Sequence, residues 1–470
     1  MLIRLSLRLR IFLFFCLLAV GGLAVSSTAL WVSYQRIADP ELINAFVFAE
    51  ILMAFGFVAL IVAVWLLFDD NVAKPIERLS AELRARAHAG VSTDMDVQAA
   101  RYLGDLAPAA AGLAGQLSEK TMGVAEAVAA ETAHLAAEKQ RLTALLTEIP
   151  VAMVLASPTH KIVLYDGQAA QVLAQIAHPR LNSSLFEYLK PRPLEDAYAA
   201  LAKTGREVIC DLTSIDGTQT FSARMKPLGD APGYMLILED SAANISPEAA
   251  RPLVYDFDLL NSDTDTEFDS KALRDLCFVV FDTETTGLLP HKDEIVQIGA
   301  VRVVNGRIVA GENLDILVNP GIPIPPASTK VHKINDRMVQ DSPDITEAGR
   351  VLHQFAHDAV IVAHNAPFDM AFLRRHAKRM DVDWNHPILD TVLLSAVLFG
   401  ASDKHTLDAL CDRLDITIPV ELRHTALGDA VATAEALVKM LPMLQARGMN
   451  TFGAVIEATR QHGRLLEDLN

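Results

Sequence analysis

Cysteine is scarce, with four in 470 residues. Cys16 sits in an apolar run, and Cys210, Cys277 and Cys411 are scattered at no regular spacing. That excludes a disulfide framework and a thiolate metal site. Positive charge is also short. The 41 Lys and Arg face 58 Asp and Glu, a net charge of −17. A chain of that balance does not grip a polyanion by bulk electrostatics, so any such contact is local and metal-assisted. No Gly-rich nucleotide loop follows the helical stretch that ends near residue 149, which removes a kinase output.

Hydrophobic residues, in contrast, make up 51% of the chain, and the excess lies at the N-terminus. Residues 11–33 are almost uninterruptedly apolar, and residues 45–68 are broken only by Glu50. Each run has the ~20 residues that a membrane-spanning helix needs. The first is too long for a signal-peptide core, and the second follows at once. A membrane anchor over residues 1–70 with two transmembrane helices is therefore expected. Arg4, Arg8 and Arg10 precede the first run, while the loop between the runs has one Arg against Asp39 and Glu41. That bias implies a cytoplasmic N-terminus and a cytoplasmic location for everything after Phe68. Glu50, near the start of its span, reads as a snorkelling side chain.

Residues 71–149 read as a helical linker. Lys74-Pro75-Ile76-Glu77 and an Ala-rich stretch, broken at Gly90 to Asp94, resemble a HAMP linker; a plain juxtamembrane helix is the alternative. Val128, Leu135, Leu142 and Ile149 stand seven apart, one seam of a coiled coil through which a homodimer would form. Residues 150–241 carry five strand-like runs, with helical material between the second and third. Their opening, IPVAMVLASPTHKIVLYDGQAAQVLA, resembles a PAS domain, read as a sensor or, with no cofactor-demanding Cys or His, a spacer. Residues 242–272 are crowded with Asp and Glu and lack periodicity, which predicts a disordered acidic linker.

The remaining residues alternate strand and helix patterns, an α/β arrangement. Phe278 to Phe281 form an apolar run of the kind that becomes a buried strand, yet it runs straight into Asp282 and Glu284. Two apart on an extended chain, these carboxylates face the same side and repel unless a cation lies between them. A hairpin follows, turning at Asn305-Gly306. Residues 359–363 form a short strand before His364-Asn365-Ala366-Pro367-Phe368-Asp369, with Pro367 suited to a first helical turn. His424 and Asp429 stand five apart ahead of an Ala-rich helix. They converge only if His424 lies in the preceding loop and Asp429 in the first turns. Alone, each acid reads equally well as a cap or a solvated end.

In this order, DTE, HNAPFD and HTALGD resemble the DEDD exonucleases, and His424 five before the last Asp places the likeness in the DEDDh branch. DTETTG is most similar to the proofreading epsilon subunit of bacterial DNA polymerase III. The resemblance implies a ribonuclease H-like mixed sheet flanked by helices in the exonuclease domain, residues 273–446; residues 447–470 read as a helical tail. It implies that Asp282, Glu284, Asp369 and Asp429 hold two divalent cations, Mg²⁺ or Mn²⁺, with His424 as general base. It implies that Thr285 and Leu288 bracket the 3′-terminal nucleotide, that Asn365 bonds its sugar or phosphate, and that Val331-His332-Lys333-Ile334 is a substrate-side loop. Phe368 reads as core, Asp390 as a helix cap, and His376 and His405 as helix-surface residues.

The implied function is a 3′-5′ exonuclease acting on DNA 3′ ends, single-stranded ones first, anchored in the bacterial inner membrane. Two alternatives stay open: an exoribonuclease with the same residues, and a membrane sensor whose nuclease fold serves as a binding or signalling output. Gln461-His462-Gly463-Arg464-Leu465-Leu466 matches a clamp-binding peptide poorly, so no polymerase partner is inferred.

Overall fold

The computed structural model describes residues 7–37, 42–89, 152–239, 253–261 and 268–470, with isolated positions between 103 and 112. The chain divides into two units, residues 1–123 and 124–470.

In the first unit, α1 (Leu7–Ile37) and α2 (Ile43–Phe68) pack as an antiparallel hairpin, Phe12 against Trp65 at one end and Tyr34 against Phe46 at the other. Both helices are long and apolar enough to cross a membrane. Arg8 forks onto both oxygens of Asp69 at 2.7 Å. The Ser27 hydroxyl donates to the Glu50 carboxylate across the hairpin. After α2 the chain takes one π-helical turn, Asp69–Ala73, and continues as α3 (Lys74–Ala89). Pro75 supplies the reason: it has no N–H to donate, and its ring crowds the carbonyl four residues back, so the turn widens. The Gly90 to Asp94 break and the seam from Val128 to Ile149 lie outside the described residues.

The second unit begins with an antiparallel sheet. Its elements are β1 (Ala152–Ala156), β2 (Ile162–Tyr165), α4 (Gly167–Ala174), α5 (Pro191–Thr204), β3 (Val208–Thr213), β4 (Thr220–Leu228) and β5 (Ala231–Glu239). A sixth strand, β6 (Val254–Tyr255), pairs with β2, giving the order β3-β4-β5-β1-β2-β6. Strand β6 lies in the stretch expected to be a disordered acidic linker. That expectation fails for residues 253–261 and 268–272, because the stretch carries anchors among its acids. Val254 and Leu259 are buried, Asp256 N–H bonds the Val163 carbonyl, and Phe268 stacks edge-on against Phe452.

Next comes a mixed five-stranded sheet. Strands β7 (Phe278–Thr285), β8 (Ile295–Val304) and β9 (Arg307–Leu317) are antiparallel neighbours, and the turn at Asn305 and Gly306 has both φ positive, at 49° and 69°. Helices α6 (Pro326–His332), α7 (Asp336–Val339) and α8 (Ile345–Phe355) lead to β10 (Val360–Ala363), which lies parallel to β7. After α9 (Ala366–Met380), β11 (Ile388–Asp390) adds a parallel edge, for an order of β11-β10-β7-β8-β9. Then come α10 (Thr391–Phe399), α11 (Leu407–Leu414), α12 (Ala426–Ala446) and α13 (Phe452–Arg460). Strands β8 and β10 are buried along their whole length and β7 through Phe281, as strands covered on both faces are.

Helix α12 lies against β7 and β8, and one glycine sets how closely. A Cβ on Gly299 would stand 2.1 Å from the backbone of Ala426 and Leu427, so no other residue fits there. The tail is integral to this domain. Leu273 N–H bonds the Asn450 carbonyl, and the Asn470 amide pairs with both backbone groups of Ile388 on the β11 edge.

The two sheets of this unit meet through a buried polar junction. Arg302 on β8 and Glu312 on β9 are 2% and 1% exposed and stand 2.9 Å apart. Glu312 accepts the Tyr165 hydroxyl and the Leu181 N–H, while Arg302 donates to the Leu181 and Phe355 carbonyls and to Cys277 Sγ. Burial pushes the Glu312 carboxyl upward, against the lowering effect of Arg302, Leu181 N–H and Tyr165. Arg180, fully buried, adds bonds to Glu187 and to the Gln354 carbonyl.

Candidate active site

Four carboxylates come together at one end of the mixed sheet. Asp282 and Glu284 end β7 on a shared side, as the alternation of an extended chain requires. Asp429 comes from the first turn of α12. Thr425 caps that helix by accepting the Gly428 N–H, so the helix starts at Ala426 and His424 stays in the preceding turn, at φ 58°. Gly428 is pressed against the Leu422 carbonyl, where a Cβ would stand 1.9 Å away, which folds the 422–428 turn tightly. Gln297 Oε1, on β8, accepts the Ala426 N–H at 3.1 Å and seats the helix start beside β7. Carboxylate oxygens of Asp282, Glu284 and Asp429 all lie within 4.8 Å of one another.

Asp369 enters from the first turn of α9, just past Pro367. Its Oδ1 accepts the Thr283 N–H at 3.2 Å and the Thr283 hydroxyl at 2.5 Å, which ties α9 to β7 between the other two acids. Asp390 holds the same turn from behind. Its carboxylate takes the Ala366 N–H at 2.6 Å and the Val392 N–H at 2.7 Å, so it serves two helix starts at once.

The electrostatics of this group are those of crowded anions. Burial pushes Glu284 up to about 8, with Asp429 and Asp369 adding to the rise. Burial takes Asp369 to about 7 in spite of its bonds to Thr283. Asp282 is raised well above the carboxylate range by burial and then by Asp369, Asp429 and Glu284. Burial also raises Asp429, against the opposing pull of His424. Four hard oxygen donors that resist ionising together are the donor set that one or two small divalent cations would relieve. The fit is good.

A pH dependence follows for the metal-free protein. These carboxyls bind protons more tightly folded than unfolded, so folding stability falls as pH rises from the ordinary carboxyl range. The fall continues through about 7 for Asp369 and about 8 for Glu284 and then levels off. Thermal melts in chelator from pH 4.5 to 8.5 should show this decline, and Glu284→Gln should flatten it. A melting temperature that rises across that window would mean the acids are not mutually repelling.

The other expected contact residues separate into two kinds. Leu288 is 79% exposed on the loop after β7, and Asn365 is exposed at a φ of 75° beside Asp369. Thr285 is buried and donates to the Gly287 carbonyl. His332 ends α6, is 4% exposed, accepts the Ile334 N–H at Nδ1 and also meets the Thr285 backbone, so it lies behind the loop after β7 and not on an exposed loop. His376 and His405 are likewise not on the surface. Both are buried, His376 beside Glu294 and His405 against Ser395. Phe368 packs on Phe372 with ring centroids 5.2 Å apart.

The Exonuclease family, RNase_T, matches residues 279–437. A DNA polymerase III subunit epsilon-like protein of Rhodobacter capsulatus is 35% identical, with 99% of each chain covered. The chain belongs to the DNA polymerase III subunit epsilon-like proteins. Its C-terminal domain is an Exonuclease-family hydrolase domain with the ribonuclease H-like fold. DNA polymerase III PolC-type of Caldanaerobacter subterraneus subsp. tengcongensis is 40% identical over 38% of this chain, which spans only 12% of that protein. A solved structure of Exonuclease X in complex with 5′ overhanging duplex DNA matches at 29% identity. It covers 39% of this chain and 99% of its own, with a TM-score of 0.31.

Proposed function

We propose that this chain is a membrane-anchored, metal-dependent 3′-5′ exonuclease that removes nucleotides from DNA ends. The observation that carries the reading is the group Asp282, Glu284 and Asp429 within 4.8 Å, completed by Asp369 through Thr283. In it, Asp282, Glu284, Asp369 and Asp429 would hold two divalent cations, Mg²⁺ in the first instance. When bound, such ions neutralise the charge that develops on the phosphate and acidify the attacking water. His424, exposed on its turn beside Asp429, takes the proton of that water as general base. Leu288 and Asn365, both exposed, would contact the terminal nucleotide, with Thr285 shaping the loop behind Leu288. His332, which meets the Thr285 backbone, would support the substrate side of the same loop.

The choice of DNA rests on the likeness to epsilon-like and PolC-type proteins, whose names tie them to DNA synthesis. Residues 152–239 would be a PAS-like spacer, a reading supported by five antiparallel strands with both helices between the second and third. Helices α1 and α2 would anchor the chain in the bacterial inner membrane with residues 71–470 in the cytoplasm. The helical linker would join two copies.

The test is release of mononucleotides from 5′-labelled single-stranded DNA with Mg²⁺, beside an RNA oligonucleotide of the same sequence. Stepwise shortening from the 3′ end of DNA is expected. Shortening of RNA alone would make the chain an exoribonuclease, and none on either would remove the enzymatic reading.

A further inference from the structure

The loop between β7 and β8, residues 286–294, carries Leu288 at 79% and Leu289 at 48% exposure. The loop that carries them is held in part by local bonds. The Thr286 N–H bonds the Glu294 carbonyl at 2.8 Å, and the Asp293 carboxylate accepts the Leu289 N–H at 2.9 Å. Gly287 closes over Asp293, where a Cβ would stand 2.5 Å from a carboxylate oxygen. From the α6 side, the Ser328 hydroxyl donates to the Thr286 carbonyl at 2.7 Å.

The decisive hold comes from α9, the helix that also presents Asp369. Arg375 Nη1 donates to the Pro290 carbonyl, and Nη2 donates to the Asp293 carbonyl at 2.8 Å. The same guanidinium pairs with Glu294 Oε2 at 2.6 Å and stacks over the Phe372 ring. His376 closes the set, with Nε2 at 2.9 Å from both Glu294 Oε2 and Arg375 Nη2. One planar fork thus grips two carbonyls and a carboxylate of the loop. A lysine ammonium is a point charge and cannot hold all three in that geometry.

We infer that Arg375 is a positioning residue for the exonuclease site: it locks the Leu288 loop to the helix that supplies Asp369. The distance from the Leu288 side chain to the four carboxylates is then set within one rigid piece, and the terminal nucleotide meets both at once. This rests on the proposed exonuclease reading. Arg375 bonds none of the four carboxylates. Its loss frees the loop, so the site pays in substrate positioning and not in the chemical step.

The experiment is steady-state digestion of a single-stranded DNA oligonucleotide by the full chain and its Arg375→Met, Arg375→Lys, Leu288→Ala and Arg375→Met/Leu288→Ala variants. Arg375→Met should raise KM about tenfold while kcat stays within about threefold. Arg375→Lys should recover part of the loss through Glu294. The double variant should be no worse than Leu288→Ala alone, because both changes remove one contact. If kcat falls and KM holds, or the two losses multiply, Arg375 is a stability residue and the inference is overturned. If Arg375→Met fails to fold, the Arg375→Lys variant decides by the same split. A wild-type chain inert on DNA and RNA would instead overturn the exonuclease reading and this inference with it.

Discussion

Asp282→Ala and Asp429→Ala proteins are expected to lose nearly all nuclease activity while remaining folded. Each acid contributes oxygen to the group within 4.8 Å, on a strand end and a helix start that are otherwise fixed. On the proposed reading, losing one anionic ligand should weaken both cation binding and the stabilisation of charge on the phosphate, a loss on the order of 10³-fold in turnover. The fold should tolerate it for a reason visible in the raised carboxyls. Without metal, removing one negative charge relieves the other three, so the melting temperature in chelator should hold or rise. Mononucleotide release and melts on the same samples check both halves. A variant retaining a large fraction of wild-type turnover would end the assignment of that residue as a ligand.

His424→Ala should behave differently. His424 is exposed in the turn before α12, and Thr425 caps that helix independently of the imidazole. Removing a positioned proton acceptor should lower turnover by roughly 10²–10⁴-fold. Affinity for Mn²⁺, measured by titration calorimetry, should change little, because all four carboxylates remain. The acidic limb of the pH–rate curve should be altered too, since the residual rate keeps rising as hydroxide replaces the assisted water. Loss of metal binding in this variant would make His424 a ligand and require a different metallohydrolase reading.

The parts of this site that the sequence reveals are those whose chemistry is local. The run ending in Asp282 and Glu284 needs only the two-residue alternation of a strand. Pro367 marks the start of the helix bearing Asp369, and Thr425 with Gly428 marks the one bearing Asp429. What stayed hidden depends on partners far apart in the chain. Asp390 reads as one helix cap, and its second bond, to Ala366, spans 24 residues. Arg375 meets the 286–294 loop more than 80 residues away, so on its own helix it reads as a surface cation. Glu312 in a hairpin strand reads as solvent-facing, and only the arrival of Tyr165 and Leu181 buries it. The acidic stretch before residue 273 misleads in the opposite direction, because its charge count conceals Val254 and Leu259.

The buried contact between the two sheets also has a consequence for how the catalytic part can be cut free. Residues 279–437 carry the family match, yet Arg302 and Glu312 within them are completed by Tyr165 and Leu181 outside. A fragment beginning at residue 273 would bare an ion pair built for a desolvated setting, with Cys277 and Phe355 beside it. A piece that keeps this junction whole starts near residue 150, more than a hundred residues before Asp282. For the same reason, a change at Leu181 or Tyr165 is inherited as a change in the nuclease.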